Sequence, residues 1–391
     1  MNRRRSIPCG ARNINRRILT GTTNWRIKIF REDLFFFKKG ALMSTRKRPA
    51  IPFDPDAAAL PGSGIFGLPS TPEESAVIVL PVPFDATTSY GGGAANAPEA
   101  ILAASHQVDL FDLQTGKPYE AGIAMLPIPP HIKKLNTRAR KLARPVIAAG
   151  GPQGKRPLML AADDVNKIGD QVNAWVFAQT RSALADGKIV MMLGGDHSVP
   201  FGAIKAYQEH FPDMGILHID AHCDLREAYE GFTWSHASIF HNVMTRLNVK
   251  KLVQVGVRDL SAGECDFAEK LGDRIALLSE PELQELLFEG EETWREICEK
   301  IAGQLPEQVY LSVDIDGFDP SLCPHTGTPV PGGLSFPQFT ELLTTVVRDG
   351  HTILGGDLCE VCPGPAGDEW DANVGARVLY KMIGFALLSK A

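Results

Sequence analysis

The sequence predicts an α/β protein with a central, mostly parallel β-sheet and helices on both faces of that sheet. Short apolar runs alternate with helix-like patterns through most of the chain, and several of those runs end in a cluster of polar side chains. Continuous apolar runs are typical of strands buried on both faces, and their alternation with helices indicates a parallel sheet. Ligand sites in such sheets lie at the carboxyl ends of the strands, which is where the polar clusters fall.

The elements follow one another along the chain. An apolar run at residues 76–80 is the first predicted strand, and a helix opens at Pro98. Residues 126–160 contain several Pro, Gly, Lys and Arg residues and are predicted to form a long loop. Further strands are predicted at residues 189–193, 215–219, 252–257, 275–278, 309–313 and 352–358. Further helices are predicted at residues 163–186, 199–210, 281–289, 291–303, 336–348 and 372–389.

The composition is that of an ordinary globular protein. Of the 391 residues, 44% are hydrophobic and 22% are charged, and this length fits one large domain or two smaller ones. No apolar run reaches the roughly 18 residues of a membrane-spanning helix, so no membrane partner is expected. Seven cysteines, an odd number scattered through a long chain, do not suggest a disulfide framework. These features predict a reducing, cytoplasmic location.

Charge is distributed unevenly along the chain. Residues 1–48 carry 14 Lys and Arg residues against two acidic residues, an excess of 12 positive charges. Because the whole chain has a formal charge of −6, the remainder is near −18. An acidic body argues against nucleic acid as the main partner and suits a small cationic substrate.

The basic start is interpreted as an amino-terminal extension covering residues 1–74, followed by a catalytic domain at residues 75–391. Three explanations of its Arg-rich beginning stay open. It is an oligomer-binding arm, a transit peptide over residues 1–42 that would make the location organellar, or translated sequence upstream of a start at Met43. Residues 1–42 contain no histidine and are predicted to be dispensable for chemistry.

The stretch MGILHIDAHCD, residues 214–224, is the strongest functional signal. Asp220, His222 and Asp224 occupy alternate positions after an apolar run, and alternate side chains of an extended strand share one face. Two carboxylates and an imidazole would therefore converge at the end of a buried strand, where uncompensated burial is expensive. A divalent metal cluster is the simplest compensation. Cys223 falls on the opposite face and is predicted to pack in the core.

Three further polar clusters follow apolar runs. His197 ends a Gly-Gly-Asp-His segment, Asp314 and Asp316 alternate after a later run, and Glu360 follows the last one. Each cluster alone is a weak signal, but their recurrence at predicted strand ends favours a metal centre over a set of structural caps. The predicted metal ligands are His197, Asp220, His222, Asp224, Asp314 and Asp316.

This donor set contains no thiolate and favours Mn²⁺, Ni²⁺, Co²⁺ or Fe²⁺ over a structural zinc site. Six protein ligands exceed the usual share of one catalytic ion, so two divalent ions that share carboxylates are predicted. A water held between two such ions would lose a proton near neutral pH and become a nucleophile.

These residues, in this order, resemble the ureohydrolase family of arginases, agmatinases and their relatives over residues 76–391. The resemblance implies a three-layer α/β/α fold, two bound metal ions and hydrolysis of a guanidino group to urea. It implies two ligand sets bridged by Asp220 and Asp314: His197 and Asp224 complete one set, and His222 and Asp316 complete the other. It also implies a homo-oligomer, a trimer or a hexamer, and accessory proteins that load the metal.

The resemblance supplies catalytic roles as well. The segment Ser-His-Ala-Ser around His236 matches the family's catalytic histidine segment, so His236 is expected to supply or shuttle a proton. Glu360 matches the carboxylate that pairs with the substrate's guanidinium, which can donate two parallel N–H bonds to it. Asp316 is expected to accept a proton beside the metals and pass it on.

Departures from the family pattern bear on the substrate. The loop after Ser89 reads Tyr-Gly-Gly-Gly, where agmatinases commonly carry a positive charge, and Cys362 stands where asparagine is usual. Before the catalytic histidine, the bulky side chains Tyr229, Phe232 and Trp234 are predicted to wall off the pocket, with Trp234 restricting substrate length. Together with the long extension, these features resemble the nickel-dependent guanidine hydrolase subgroup.

Free guanidine, which has no tail, is therefore the expected substrate, with urea and ammonia as products. Ni²⁺ is the expected metal and Mn²⁺ the alternative. An agmatinase or a guanidino-acid ureohydrolase is the alternative activity. Two other classes stay open: a mononuclear deacylase, which would not need the complete set of His197, Asp224 and Asp316, and a non-catalytic homologue, which predicts a lost ligand.

Overall fold

The computed structural model of the protein describes residues 53–60, 62–290 and 292–391. The predictions for residues 1–42 lie outside these residues. The strands are β1 (Val77–Val82), β2 (Ile123–Met125), β3 (Ile189–Gly194), β4 (Gly215–Ile219), β5 (Leu252–Val257), β6 (Ile275–Ser279), β7 (Gln308–Asp314) and β8 (Thr352–Cys359). They form one eight-stranded sheet in the order β2-β1-β3-β8-β7-β4-β5-β6, and every pair is parallel.

Ten α-helices of the described residues surround this sheet. They are α1 (Ala97–Ala104), α2 (Pro130–Ile147), α3 (Arg156–Ala185), α4 (Phe201–His210), α5 (Ile239–Arg246), α6 (Ala262–Leu271), α7 (Glu280–Phe288), α8 (Trp294–Ala302), α9 (Phe336–Arg348) and α10 (Trp370–Leu388). Among the described residues, no helix combines the length and apolar character that a membrane crossing requires.

Helices cover both faces of the sheet, which gives the three layers that the resemblance implied. Helices α1, α8, α9 and α10 pack on one face, together with Leu217 and Ile219 of β4. Helices α2, α3, α4 and α5 pack on the other face, together with Ile216. Alternate residues of a strand point to opposite faces, so one continuous apolar run contributes to two apolar cores.

Several helices begin at a capping box, in which a hydroxyl and a side chain three residues later satisfy the free amides of the first turn. The four pairs are Ser261 with Glu264, Ser279 with Glu282, Thr293 with Glu296, and Ser335 with Gln338. These local hydrogen bonds explain why α6 to α9 start where they do.

The expectation of a long loop at residues 126–160 is wrong. Helix α2 occupies most of that segment, and α3 begins before the predicted start of its helix. Ile132 and Ala139 of α2 are buried, whereas Arg138 is exposed, so the basic residues form the outer face of an amphipathic helix. Pro145 lies in the last turn of α2, where its missing N–H removes one intrahelical hydrogen bond.

The packed body also begins earlier than the predicted boundary at residue 75. Ile65, Phe66 and Leu68 are buried in the same core as β1, so this part of the predicted extension belongs to the folded body. The prediction also missed β2, a three-residue strand at the sheet edge, and the short helices α5 and α6.

The strand order brings the polar clusters together. Strands β3, β8, β7 and β4 are consecutive in the sheet, although they are far apart in sequence. Because all four are parallel, their carboxyl ends share one edge. The residues that follow these strands therefore meet at a single site.

Candidate metal centre and catalytic site

The turn after β3 places His197 in this site. A Cβ at Gly195 would lie 1.8 Å from the carbonyl oxygen of Phe84, so only glycine allows the turn to pass the loop after β1 this closely. The amide of Asp196 then donates to the same carbonyl at 2.9 Å. These contacts direct the fully buried His197 side chain toward the ends of β4 and β7.

Three carboxylates converge on one nitrogen of His197. Its Nδ1 lies 3.2 Å from Oδ2 of Asp220, 3.3 Å from Oδ2 of Asp224 and 3.3 Å from Oδ2 of Asp314. All four side chains are at least 94% buried. This arrangement brings one imidazole nitrogen and three carboxylate oxygens to a common point, as the first predicted ligand set requires.

A second group forms around His222. Its Nδ1 lies 3.4 Å from Oδ1 of Asp220 and 3.2 Å from Oδ2 of Asp316. The two oxygens of Asp220 therefore face different imidazoles, which is the arrangement expected of a bridging carboxylate. Oδ1 of Asp314 accepts the amide N–H of Asp316 at 2.9 Å, and the role of Asp314 as a second bridge stays a prediction.

The electrostatics of the cluster call for cations. Burial, followed by the charge of Asp220, raises the pKa of Asp224 to about 7. Burial and the neighbouring Asp316 raise the pKa of Asp314 well above its usual value. Among the ion pairs of the described residues, the cluster's carboxylates contact histidines and no Lys or Arg side chain. Buried carboxylates and imidazole nitrogens without a neutralising base fit divalent metal ions well.

Backbone strain also collects at this site. Asp224 and Glu360 adopt φ values of 54° and 60°, in the left-handed region that non-glycine residues rarely occupy. The carbonyl oxygen of Asp224 accepts amide N–H bonds from Phe240 and His241 at the start of α5, at 3.0 and 3.2 Å. The start of α5 thus compensates a conformation that aims the Asp224 side chain back at His197.

A cavity of about 170 Å³ opens beside the predicted metal ligands. Its lining residues are Ser89, His222, Asp224, Arg226, Tyr229, His236, Ala237, Asp259, Glu264 and Thr328. His236 therefore lies in the cavity wall together with one member of each ligand group, as its predicted catalytic role requires. Burial, followed by the charge of His222, lowers the pKa of His236 to about 4, so its imidazole is neutral at pH 7.

Glu360 lies next to His197 but does not line this cavity. Its Oε1 accepts the amide N–H of His197 at 2.9 Å, whereas its buried Oε2 has no hydrogen-bond partner among the described residues. Burial and the neighbouring Asp196 raise the pKa of Glu360 well above its usual value. Oε2 faces Gly327, because a Cβ built on that glycine would lie 3.6 Å from it. Gly327 directly precedes Thr328, which lines the cavity, so Oε2 lies close to the cavity wall.

The aromatic wall differs from the prediction. Trp234 does not line the cavity: its ring packs against Phe201 at a centroid distance of 4.8 Å, and its Nε1 donates to Asp170 at 2.7 Å. Phe232 is buried in a separate apolar cluster with α2 and α3. Only Tyr229 of the three lines the cavity, so the expected wall of three aromatic side chains is not formed there, and a role of Trp234 in limiting substrate length has no support from this geometry. Cys223 packs in the core as predicted.

Two residues that position the site, Asp85 and His218, are not among the residues predicted from the sequence. Asp85, after β1, accepts amide N–H bonds from Gly93 at 3.0 Å and Ala95 at 3.3 Å, and pairs with Arg140 of α2 at 2.9 Å. It thereby holds the glycine-rich loop in place. The second feature is His218, whose Nε2 lies 2.8 Å from Oδ2 of Asp220. Its position two residues before Asp220, on the same strand face, was a usable signal.

Comparison with known proteins identifies similar sequences along most of the chain. Residues 75–384 match the model of the arginase family. An N(1)-aminopropylagmatine ureohydrolase of Thermus thermophilus is 34% identical over 324 residues, covering 82% of this chain and 94% of that protein. An agmatinase of Halalkalibacterium halodurans is 28% identical over 297 residues, covering 74% of this chain and 85% of that protein.

Solved structures show the same fold. The proclavaminate amidino hydrolase of Streptomyces clavuligerus superposes with a TM-score of 0.64 at 22% identity, covering 85% of this chain and 99% of that one. An arginase of Medicago truncatula superposes with a TM-score of 0.58 at 24% identity, covering 80% of this chain and 88% of that one. At these identities the likeness supports the three-layer fold alone.

Proposed function

Since this chain belongs to the arginase family and is a hydrolase of amidine C–N bonds, we propose that it releases urea from an agmatine-type substrate, a guanidino group joined to an amine-bearing tail. The relatives that are named agmatinase and aminopropylagmatine ureohydrolase favour this substrate class over free guanidine. The complete set of His197, Asp224 and Asp316 lies at one site, which disfavours a mononuclear deacylase and a homologue that has lost a ligand.

The observation that carries the guanidinium assignment is the carboxylate oxygen Oε2 of Glu360, which has no partner in the part of the chain that the structure describes. A buried acceptor without a donor costs roughly 1–3 kcal/mol, and more when it is charged. Oε2 of Glu360 is such an acceptor, and Oε1 is already used by the amide of His197. A planar guanidinium supplies both a positive charge and N–H donors, so its binding would satisfy Oε2 and keep the Glu360 carboxylate ionised.

The proposed metal ligands divide into two groups that share Asp220. His197, Asp224 and Asp314 would hold one ion, and His222 and Asp316 the other. Divalent ions bound there supply Lewis acidity and make water a strong nucleophile near neutral pH. Imidazole nitrogen and carboxylate oxygen suit Mn²⁺ and Ni²⁺ alike, so both metals belong in the test.

The chain's own residues manage the protons. Attack on the guanidino carbon requires that the attacking water lose protons and that the departing nitrogen gain one, because an amide anion is too basic to leave. Asp316 would accept a proton, and the hydrogen bond that Thr328 donates to its Oδ2 at 3.2 Å would orient that carboxylate. His236 is neutral at pH 7 and lines the same cavity, so it can relay a proton toward the departing nitrogen.

Free guanidine is the second candidate, and a specific observation favours it. Arg226 lines the small cavity, and its guanidinium would meet the ammonium group of an agmatine-type tail at short range. Glu264, whose Oε2 lies 3.5 Å from Nη2 of Arg226, and Asp259 stand in the same wall and carry the opposite charge, so the repulsion applies to a tail whose ammonium group lies nearer Arg226 than these carboxylates. A substrate without a tail avoids that repulsion, and a tail that ends in a carboxylate would be attracted.

The test is a substrate series with the full chain. Purified protein loaded with Mn²⁺ or Ni²⁺ is incubated with agmatine, aminopropylagmatine, guanidine, arginine and a guanidino acid, and urea is measured over time. We expect urea from at least one compound and none from the Asp220→Ala control. The largest kcat/KM for agmatine or aminopropylagmatine would support the main proposal, and the largest value for guanidine would support the second. A protein that holds two ions and releases urea from none of them would contradict both.

A further inference from the structure

A row of buried polar side chains lies beneath the metal ligands, and the proposed mechanism does not use it. Its members come from four adjacent strands at matching positions: Gln254 of β5 pairs with His218 of β4, which pairs with Ser312 of β7, which pairs with Asp357 of β8. All four are 0% exposed. Four polar groups inside an apolar layer are costly unless each one has a specific partner.

The orientation of the Gln254 amide follows from a neighbour that can only accept. Nε2 of Gln254 lies 2.8 Å from the carbonyl oxygen of Cys223, and a carbonyl oxygen accepts hydrogen bonds and donates none. The NH₂ group must therefore face Cys223. The same nitrogen lies 2.9 Å from Nδ1 of His218, so its second proton is donated to that ring nitrogen.

This donation determines the tautomer of His218. Because Nδ1 accepts, the ring is neutral and carries its proton on Nε2. Nε2 lies 2.8 Å from Oδ2 of Asp220 and therefore donates to it. The other oxygen of Asp220, Oδ1, accepts the amide N–H of His222 at 2.6 Å. Each oxygen of the bridging carboxylate thus has one hydrogen bond and one lone-pair direction left for a cation.

The other half of the row acts on His197 in the same way. The hydroxyl of Ser312 donates to Oδ1 of Asp357 at 2.9 Å, which leaves its oxygen to accept from Nε2 of His197 at 3.0 Å. The proton of His197 is thereby held on Nε2, which leaves the lone pair of Nδ1 directed into the space between the three carboxylates, where a cation would bind. The two halves of the row thus leave lone pairs of the Asp220 carboxylate and of Nδ1 of His197 available for a cation.

His218 is close enough to this group to be considered a metal ligand itself. Its two nitrogens are already committed, one to Gln254 and one to Asp220, so it has no lone pair to offer. The amide oxygen of Gln254 is buried and has no partner within residues 53–60, 62–290 and 292–391, which is a cost to the fold. What Gln254 contributes is therefore its NH₂ group.

We propose that Gln254, His218, Ser312 and Asp357 form a support layer that fixes the tautomers of His218 and His197 and so aims Asp220 and His197 at the metal ions. Gln254 is a positioning residue that acts through His218. Partners of this kind behind metal ligands typically change metal affinity 10- to 100-fold when they are removed. This inference rests on the proposed function, because it presupposes a metal centre.

The test measures metal binding rather than turnover. Gln254→Met keeps the length of the side chain but removes the NH₂ donor. We expect the dissociation constants for Mn²⁺ and Ni²⁺, measured by chelator competition, to rise by about 10- to 100-fold. We also expect the visible spectrum of the Co²⁺-loaded protein to change, because that spectrum reports ligand geometry. Ser312→Ala tests the other arm with a smaller change in volume, and it decides the question if Gln254→Met does not fold.

The matched control is Thr180→Val in α3, because Thr180 is also fully buried with an unpartnered oxygen, Oγ1, but belongs to another part of the molecule. Its metal affinity should equal that of the wild-type protein. The support layer would be overturned if Gln254→Met bound the metal ions with wild-type affinity while the Tm of its metal-free form was lowered, because that result would show a purely structural role. If Gln254→Met does not fold, the same result in Ser312→Ala decides. Failure of the wild-type protein to bind either ion would instead overturn the proposed function.

Discussion

The guanidinium of Arg226 lies 5.1 Å from the centre of the Tyr229 ring, and both side chains line the cavity beside the proposed metal ligands. The aromatic face holds the cation in the cavity wall. A substrate tail that enters this cavity would therefore meet the charge of Arg226 beside the carboxylates of Glu264 and Asp259.

Replacing Arg226 tests that distinction. Arg226→Gln should raise kcat/KM for agmatine relative to guanidine by roughly 5- to 30-fold, because it removes a like charge worth about 1–2 kcal/mol at the partly exposed wall. Arg226→Gln should also lower kcat/KM for a guanidino acid relative to guanidine. Arg246→Gln is the control, since Arg246 stacks on Trp234 outside this cavity. If the ratio of kcat/KM for agmatine to kcat/KM for guanidine is the same in Arg226→Gln and Arg246→Gln, Arg226 does not contribute to substrate discrimination.

The shared position of Asp220 predicts unequal metal losses. Asp220→Ala should lose both ions and all activity, because its two oxygens face the two imidazole groups. Asp224→Ala and Asp316→Ala should each retain about one ion, since each contacts a single group. Elemental analysis after dialysis measures these ratios. If Asp220→Ala retains two ions, Asp220 is not a ligand shared by both metal ions.

His236 should matter for turnover and not for metal binding. His236→Asn should keep both ions and lower kcat by roughly 10²–10⁴-fold, the usual range for a positioned acid or base. Its pKa of about 4 means that the imidazole stays neutral as the pH falls from 9 to 6, so its titration should not lower activity in that range. A near-normal kcat in the variant would assign the proton relay to another group.

Trp234 should matter for stability and not for specificity. Trp234→Ala removes a side chain that is 7% exposed and packed against Phe201, so unfolding in urea should show a loss of about 3–5 kcal/mol. The ratio of kcat/KM values between long and short guanidino compounds should not change. Phe288→Ala is the control, because Phe288 is 84% exposed and its removal should cost less than about 0.5 kcal/mol. A change in the ratio of kcat/KM between long and short guanidino compounds would show that Trp234 does influence substrate length.

His325 should make stability depend on pH. Its Nδ1 lies 2.8 Å from Oδ2 of Asp371, a contact that raises the pKa of His325 above its usual value of 6.5. The stabilisation is fully present below pH 6.5 and is lost as the pH rises through the raised pKa. The difference in Tm between the wild-type protein and His325→Gln should therefore be largest near pH 6 and smallest near pH 9.

The control for that series is His210→Gln at the exposed end of α4, which should show no such trend. A Tm difference for His325→Gln that stays constant from pH 6 to pH 9 would show that the contact does not involve a protonated imidazole.

Some elements and ligands follow from local pattern. The strand that ends at Ile219 is a continuous apolar run, and Asp220, His222 and Asp224 follow it at alternate positions. Period-2 geometry and the cost of burying carboxylates were enough to predict that these side chains converge at the end of a buried strand. By contrast, α2 was mistaken for a loop because flanking Pro and Gly residues and a basic outer face outweighed its apolar stripe.

Other features depend on the packing of distant segments. The direction of Trp234, in an irregular segment, is determined by contact with Gly169 of α3, where a Cβ would lie 2.6 Å from the indole. No local periodicity specifies that contact. The same holds for Arg226, whose place in the cavity wall depends on how the loop folds over the sheet.

By itself, the sequence determined the class of fold, the four polar strand ends and the chemical types of the proposed metal ligands, because each depends on residues within a few positions of one another. The tertiary structure decided that β3, β8, β7 and β4 are neighbours, that the two oxygens of Asp220 face different histidines, and that Gln254 lies behind His218. The physical reason is that strand order and cross-strand register result from long-range packing of both faces of the sheet, which no local spacing encodes.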